Sequence, residues 1–317
     1  MRRLLLILTL GMFATLLVFA QAQKSGKCDR ACLEGIADKY LAAMVAHDAS
    51  KAPFAKNLIF TENAVKLPPT EGLWFTSSGP VDDFKFYISD PQSGQVAWVG
   101  IAREHDKPVL LSLRLKVVNR LITEAESIVI RGNLNENGLN TLRKMPHTFS
   151  QALAPSEHTS REEMVRISSL YFTGIEELDG KMVPFADDCY RVENTMVTAG
   201  TFPGAPPRAE GLPSSKSCSD GLGSPALKTI YNIRPRRTPV VDEERGVTWG
   251  VYCFNHRGIT EVRLPDGRTA KPYFTTPNTM PISEIFKIKN GKIRDILAFG
   301  TQVPYGLGDG WAGPVYK

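Results

Sequence analysis

An internal repeat is the feature that most constrains the fold of this chain. Residues Tyr40 to Asn63 align without a gap on Tyr171 to Asn194, which lie 131 positions later. Both segments share a tyrosine, two acidic residues, a Pro-Phe-Ala run and a final asparagine, at Tyr40, Asp48, Pro53, Phe54, Ala55, Glu62 and Asn63 in the earlier segment. Residues 115–126 match residues 286–297 at an offset of 171. Self-similarity of this kind predicts two copies of one domain.

The two offsets also predict the domain boundaries. Because 171 exceeds 131 by 40, the second copy carries 40 extra residues, mostly in 199–223 and 257–279. A polar stretch rich in Asn and Pro separates the copies and is expected to be a loop-like linker. We therefore expect a first domain at 28–131, a linker at 132–157, a second domain at 158–302 and a tail at 303–317.

Each copy predicts an amphipathic helix followed by strands. Apolar residues recur with helical spacing at Leu33, Ile36, Ala37, Tyr40, Leu41 and Met44, and again at Met164, Ile167, Leu170, Tyr171 and Ile175. Strand-like runs follow in both copies, and Asn290-Gly291 is a strong hairpin signal. The expected class is α+β, with N-terminal helices packed on one face of a curved antiparallel sheet in each copy.

The N-terminus has the pattern of a secretory leader. Two arginines precede an apolar run from Leu4 to Ala20, and the small-x-small site Ala20-Gln21-Ala22 follows. We expect residues 1–22 to be a signal peptide and the mature protein to be secreted or periplasmic. No later stretch has the length of a membrane span, so no stable span is expected after processing.

The five cysteines suit an oxidising compartment. Cys189 and Cys218 flank a long Gly/Pro/Ser-rich segment, where a disulfide would restrain the chain most. Cys28 and Cys32 form the other close pair, and Cys253, inside a strand-like run, is expected to be a buried thiol. No CxxC motif or Cys/His cluster has zinc spacing, so no metal is expected.

Composition and motifs argue against several function classes. The basic cluster Arg234 to Arg237 has no nucleic-acid motif around it, and a solvated turn is the preferred interpretation. The chain lacks the nucleophile-elbow, P-loop and dinucleotide-binding signatures. No nucleic-acid partner and no cofactor are therefore expected.

The order of helix, short second helix ending in Phe-Ala-Asp-Asp, strand, and a final meander resembles the nuclear transport factor 2-like superfamily. That superfamily includes ketosteroid isomerase and scytalone dehydratase, and the resemblance covers about residues 30–131 and 158–302. It implies a cone-shaped domain in each copy. Because the family commonly dimerises by stacking sheets, the resemblance also implies a pseudo-dimer within one chain.

The resemblance to ketosteroid isomerase implies particular site residues. It places Tyr171 as the donor to a developing enolate and Glu193 as the acidic base, with Tyr40 and Glu62 as first-copy equivalents. A carboxylate at an apolar mouth has its pKa raised towards neutrality, and a phenol stabilises charge that appears in the transition state. The isomerase's second, protonated acid has no visible counterpart. A core tyrosine and a strand-end glutamate are the structural alternatives.

Further candidates come from the second copy and the tail. His256 ends a strand on the same face as Tyr252, where it can shuttle a proton or be an exposed turn residue. Arg191 and Tyr252 are candidate binding residues. Tyr305 and Trp311, in the glycine-rich tail, are also candidate binding residues, since such tails often cover a pocket or a neighbouring domain.

Three functions remain open. The first is a cofactor-independent isomerase, dehydratase or lyase that uses general acid–base catalysis on a small apolar or aromatic molecule, with its site in the second copy. The second is an extracytoplasmic small-molecule binding protein without catalysis. The third is a structural tandem whose cones are filled with side chains.

Overall fold

A computed structural model describes residues 28–311 except 80, 133, 207–214, 264–266, 271 and 273. For residue 270 it describes the backbone and not the side chain. The expected signal peptide, residues 1–22, lies outside these described residues. Within them, no helix has both the length and the apolar character needed to cross a membrane.

The described residues of the first copy form two α-helices and six strands. The helices are α1 (Arg30–Val45) and α2 (Leu73–Thr76). The strands are β1 (Phe54–Glu62), β2 (Val65–Lys66), β3 (Lys85–Asp90), β4 (Gln95–Glu104), β5 (Lys107–Val118) and β6 (Leu121–Ile130).

A helix of the connecting segment, α3 (Glu136–Arg143), precedes the second copy. The second copy has the helices α4 (Arg161–Glu177) and α5 (Cys218–Leu222). Its strands are β7 (Phe185–Glu193), β8 (Met196–Ala199), β9 (Ile230–Asp242), β10 (Val247–His256), β11 (Val262–Arg263), β12 (Thr269–Ala270), β13 (Asn278–Lys289) and β14 (Lys292–Gly300). Strands β11 and β12 pair with each other inside the 257–279 insertion.

The two six-stranded sheets have the same strand order. It is β2-β1-β6-β5-β4-β3 in the first sheet and β8-β7-β14-β13-β10-β9 in the second. The α+β class is confirmed, but the sheets are mixed rather than purely antiparallel, because β1 runs parallel to β6 and β7 parallel to β14.

The pairing registers match as well. Phe54 is the partner of Ile122 in the first sheet, and Phe185 is the partner of Ile293 in the second. These partners are related by the offsets 131 and 171 that the sequence repeat gives. The predicted hairpin is also confirmed, since Asn290 and Gly291 take positive φ values of 53° and 71° between β13 and β14.

Two segments differ from expectation. Phe-Ala-Asp-Asp begins strand β7 instead of ending a helix, because Pro184 precedes it and only a short 3-10 turn, Gly180–Met182, follows α4. The connecting segment is not only loop, since its helix α3 and the residues after it bury apolar side chains at Leu139, Leu142, Met145 and Phe149.

Three apolar cores stabilise the chain. Helix α1 packs on one face of the first sheet, and α4 packs on the corresponding face of the second. The third core lies between the opposite faces of the two sheets and contains residues of both, such as Val99 and Trp249. The Trp249 indole donates to Ser112 Oγ at 2.8 Å across this interface. The two copies therefore form one compact pair of stacked sheets.

The cysteine predictions are confirmed. Disulfides link Cys189 to Cys218 and Cys28 to Cys32, and Cys253 is a buried free cysteine. The basic cluster is not a solvated turn. It lies in strand β9, where Arg236 donates to Glu176 and Arg237 donates to Glu126.

Candidate functional site

Tyr171 lies on the sheet-facing side of α4, in the core of the second copy. Its ring meets Phe185 edge to face at 6.2 Å and Phe286 at 5.0 Å. Tyr40 meets Phe54 in the same way at 6.0 Å. The two tyrosines therefore occupy equivalent positions. Burial raises the pKa of Tyr171 far above its usual value, and nearby Glu284 adds to the rise while Arg191 opposes it.

Arg191 holds two carboxylates on the helix-facing side of the second sheet. Its Nε donates to Glu284 Oε1 at 3.0 Å, and its Nη1 donates to Glu193 Oε2 at 2.7 Å and to Thr198 Oγ1 at 3.0 Å. Glu193 ends strand β7 and keeps 27% of its side chain exposed. We call Tyr171, Arg191, Glu193 and Glu284 the second-copy cluster.

Glu284 is the most deeply buried carboxyl of the cluster. Its Oε2 is buried without a hydrogen-bond partner among the described residues. Burial raises the pKa of Glu284; Arg191 opposes this rise and Glu193 adds to it. A raised pKa favours the neutral acid, which can donate a hydrogen bond as well as accept one.

The Arg191–Glu284 pair of the cluster has no equivalent in the first copy. The repeat and the strand registers place Phe60 at the position of Arg191 and Leu113 at the position of Glu284. Both first-copy residues are buried and apolar. The fold therefore forms with an apolar pair where the second copy has an ion pair.

Glu62 is held more tightly than Glu193. One of its oxygens accepts from the Leu73 backbone N–H at 2.7 Å, at the start of α2, and the other pairs with Arg131 at 2.8 Å. Gly72 approaches this carboxylate so closely that a Cβ there would lie 2.5 Å from it. In the first copy the strand-end glutamate thus anchors a helix, which is a structural role.

His256 is buried on the helix-facing side of β10, and is not an exposed turn residue. It is 3% exposed, and Phe274 of the insertion lies 4.6 Å from it, ring centroid to ring centroid. Burial lowers the pKa of His256 to about 4, with Asn278 and Glu193 opposing the shift. The imidazole is therefore neutral near pH 7, and Glu193 interacts with it electrostatically.

The other candidate binding residues, Tyr252, Tyr305 and Trp311, are not members of the cluster. Tyr252 stacks on Phe172 at 3.8 Å and shares a 2.8 Å hydrogen bond with Thr238, so its hydroxyl is already used. Tyr305 is 37% exposed. Trp311 contacts the first copy instead, where its indole donates to Thr61 Oγ1 at 3.2 Å. The tail therefore crosses to the neighbouring copy because its polar groups find partners there.

Apolar side chains pack on the helix-facing side of both sheets. In the first copy a cavity of about 10 Å³, enough for one water molecule, remains between Tyr40, Phe60, Glu62 and Trp74. Trp98 covers Gly100 in the first copy, and Tyr252 covers Gly250 in the second. The aromatic residue of each copy stands at the position of the other copy's glycine. Among the described residues, no group of three His, Cys, Asp or Glu side chains has the arrangement of a metal site.

Comparison with known families gives a match in the second copy. Residues 157–300 match a family model described as a domain of unknown function, DUF8021. The matched segment is the second copy, with α4, the second sheet, the cluster and His256. No curated protein matches the chain.

Glu284 and Asn278 are among the polar residues of the matched segment that the sequence analysis did not single out. A signal for Glu284 was present, because the repeat aligns it with an apolar residue, Leu113, just as it aligns Arg191 with Phe60. A charged residue that aligns with an apolar residue of the other copy indicates a polar group at a buried position. Asn278 lies outside the aligned segments, so only the strand pairing with His256 reveals it.

Proposed function

We propose that this chain is an exported, cofactor-independent enzyme that moves a proton next to a carbonyl group of a small apolar or aromatic molecule. The class is an isomerase, dehydratase or lyase, and the site is in the second copy. The observation that carries this proposal is the second-copy cluster, in which Arg191 and Glu284 replace the apolar first-copy residues Phe60 and Leu113.

The energetic argument rests on the comparison between the copies. Burying charged groups costs free energy, and replacing a buried ion pair by apolar residues is often neutral or stabilising. Phe60 and Leu113 are buried at the equivalent positions of the first copy, so the fold forms there without a charged pair. Retention of Arg191 and Glu284 in the second copy is therefore explained best by chemistry.

Each member of the cluster has a proposed role. Glu193, partly exposed at the end of β7, takes up the proton from carbon. The Tyr171 hydroxyl donates to the oxygen on which charge develops, because a preorganised donor stabilises an oxyanion. Glu284 pairs with Arg191 and holds its guanidinium beside Glu193. Arg191 positions both carboxyl groups.

Export is part of the same proposal. Two disulfides support it, since disulfides persist in oxidising compartments. N-terminal sequencing of the secreted or periplasmic protein should give a mature chain that starts at Gln23, and mature material starting at Met1 would refute export.

Proton exchange tests the chemistry without knowledge of the natural substrate. Cyclic ketones with a neighbouring double bond, incubated with the protein in D₂O, should gain deuterium at the carbon next to the carbonyl. Glu193→Gln and Tyr171→Phe should each slow this exchange by about a hundredfold. The matched first-copy changes Glu62→Gln and Tyr40→Phe serve as controls and should leave the rate nearly unchanged.

Two outcomes contradict the proposal in different ways. Full exchange in the Glu193→Gln variant would remove the proposed role of this carboxylate. Binding of naphthol, a stable mimic of an enolate, without any exchange would support an extracytoplasmic binding protein in place of an enzyme.

A further inference from the structure

The Cys28–Cys32 disulfide closes around the first turn of α1. It joins the residue before the helix cap to the third residue of the helix, so the cap Asp29 and the first helical residue Arg30 lie inside the loop. Asp29 accepts from the Cys32 backbone N–H at 2.9 Å. The bridge therefore restrains both the cap and the arginine with which α1 begins.

Arg30 reaches from this loop to the second copy. Its Nη2 donates to Asp242 Oδ1 at 2.7 Å, and its Nε donates to Glu244 Oε2 at 2.9 Å. Asp242 is buried, and its Oδ2 also accepts from the Ser89 backbone N–H of the first copy at 3.1 Å. One half of this contact between the copies thus depends on the position of Arg30.

The second copy makes the reciprocal half of the contact. Arg161 is the equivalent of Arg30 in the repeat, and it forms an ion pair with Asp90. Asp90 Oδ2 accepts in turn from the Val241 backbone N–H at 3.1 Å. The backbone amides of Ser89 and Val241 are therefore matched reporters of the two halves.

Helix α4 of the second copy begins without a disulfide. Thr159 and Glu163 stand at the positions of Cys28 and Cys32. Thr159 Oγ1 accepts from the Gly291 backbone N–H at 2.9 Å, which ties the start of α4 to the hairpin between β13 and β14. A hydrogen bond holds the start of α4, whereas a covalent bond that thiols can open holds the start of α1.

Exposure and loop length distinguish the two disulfides. Cys28 and Cys32 are partly exposed, whereas the side chains of the other bridge are 4% exposed at Cys189 and 2% at Cys218. The first bridge closes a loop of 4 residues and the second a loop of 29, and a short loop constrains the unfolded chain less. A thiolate on Cys32 lies in the first turn of α1, where the helix dipole favours negative charge. Thiol attack at Cys28 is therefore favoured.

We propose that the Cys28–Cys32 bridge is a redox-sensitive switch, which a dithiol opens and which then loosens the Arg30 half of the contact between the copies. A thiolate of the dithiol attacks Cys28 Sγ, and Cys32 leaves as a thiolate. The second thiol of the dithiol then displaces Cys28 and closes the reagent to a disulfide. Two electrons and two protons pass from the dithiol to the two cysteines. The switch does not depend on the proposed chemistry of the second copy.

Graded reduction of the oxidised full-length chain tests the opening step. Dithiothreitol is raised in steps, and the free thiols are alkylated and identified by mass spectrometry. The Cys28–Cys32 bridge should open at a concentration about tenfold lower than the Cys189–Cys218 bridge, because it is more exposed and closes the shorter loop. Opening of both bridges at one concentration, or of Cys189–Cys218 first, would overturn the proposal.

Amide hydrogen exchange, measured by NMR, tests the loosening step. At the concentration that opens only the Cys28–Cys32 bridge, exchange of the Ser89 amide should become about tenfold faster, the factor for one hydrogen bond to a charged group. Exchange of the Val241 amide should stay unchanged. An unchanged Ser89 amide, or equal acceleration at Ser89 and Val241, would contradict a switch that acts on one half of the contact.

Two variants serve as controls for the response to dithiothreitol. The double change Cys28→Ser with Cys32→Ser should give the faster Ser89 exchange without any reductant and no further change when it is added. Arg30→Gln keeps the bridge but removes the ion pair, so it should also give the faster exchange at all concentrations. A Ser89 amide that still responds to dithiothreitol in either variant would show that the response does not pass through the bridge and Arg30.

Discussion

Arg30 of the first copy forms an ion pair with Asp242 of the second, with 2.7 Å between Nη2 and Oδ1. The reciprocal pair joins Arg161 of the second copy to Asp90 of the first at 2.5 Å. Arg30 and Arg161 are 131 residues apart, as the repeat requires. The same patch on each copy therefore contacts its counterpart, as in a two-fold symmetric dimer.

The Asp90 pair gives a first prediction. Asp90 is almost fully buried, and its carboxylate also accepts from the Val241 backbone N–H at 3.1 Å. Asp90→Asn should lower the free energy of unfolding by about 1–3 kcal/mol, because charge-assisted hydrogen bonds to a buried group are lost. Urea unfolding measures the change. Glu163→Gln, which removes an exposed pair with Arg166, should have little effect.

The same pair predicts a dependence on acid. Burial alone would raise the pKa of Asp90, but hydrogen bonds from Arg161, Ser93 and Val241 bring the pKa below its usual value. Since the folded pKa is the lower one, the stabilisation is present above the unfolded pKa of about 3.9. It is lost as the pH falls through the folded pKa. The stability difference between Asp90→Asn and the parent should therefore shrink below about pH 4.

Copying the first-copy residues into the second tests what the cluster costs. The double change Arg191→Phe with Glu284→Leu should leave the free energy of unfolding unchanged or raise it by about 1–4 kcal/mol. Arg191→Phe alone should lower it by about 1–3 kcal/mol, because Glu284 then loses its buried partner. A double variant that fails to fold would show that the cluster is structural. Denaturant titration of the three proteins decides between these outcomes.

The tail takes part in a contact between the two copies, and we predict the effect of weakening it. Arg237 donates to Glu126 of the first copy and to Asp309 of the tail, and Trp311 stacks over Arg114 at 4.9 Å. Asp309→Asn should lower the free energy of unfolding by about 1–3 kcal/mol and speed trimming of the C-terminus by carboxypeptidase. The exposed Leu307, changed to Ser, is the control. Equal trimming rates in both variants would contradict this role of Asp309.

The Cys189–Cys218 disulfide closes a loop of 29 residues. Replacing both cysteines by serine should lower the free energy of unfolding by about 3–4 kcal/mol, mainly because the unfolded chain becomes less constrained. The Cys28–Cys32 bridge closes a loop of only 4 residues, so the same double change there should cost less. Thermal unfolding of the two variants gives the comparison.

Part of the site followed from the sequence. The repeat identified Tyr171 and Glu193 as the equivalents of Tyr40 and Glu62. Its offsets of 131 and 171 also relate the paired residues of the parallel strands in the two sheets. The sequence placed His256 on the same face as Tyr252, but the side of the sheet to which that face belongs was not predictable, because every residue of β10 is buried. One face of β10 packs on α4, and its other face packs on the first sheet.

By itself, the sequence determined the duplication, the α+β class, the hairpin turn and the disulfide pairing. These depend on local pattern, on turn conformation and on identity between aligned segments. Only the tertiary structure decided that Arg191 meets Glu284, 93 residues away and two strands across the sheet, and that Arg30 meets Asp242, 212 residues away. Such pairs depend on which strands become neighbours and how the sheets stack, and in this chain no local pattern records that.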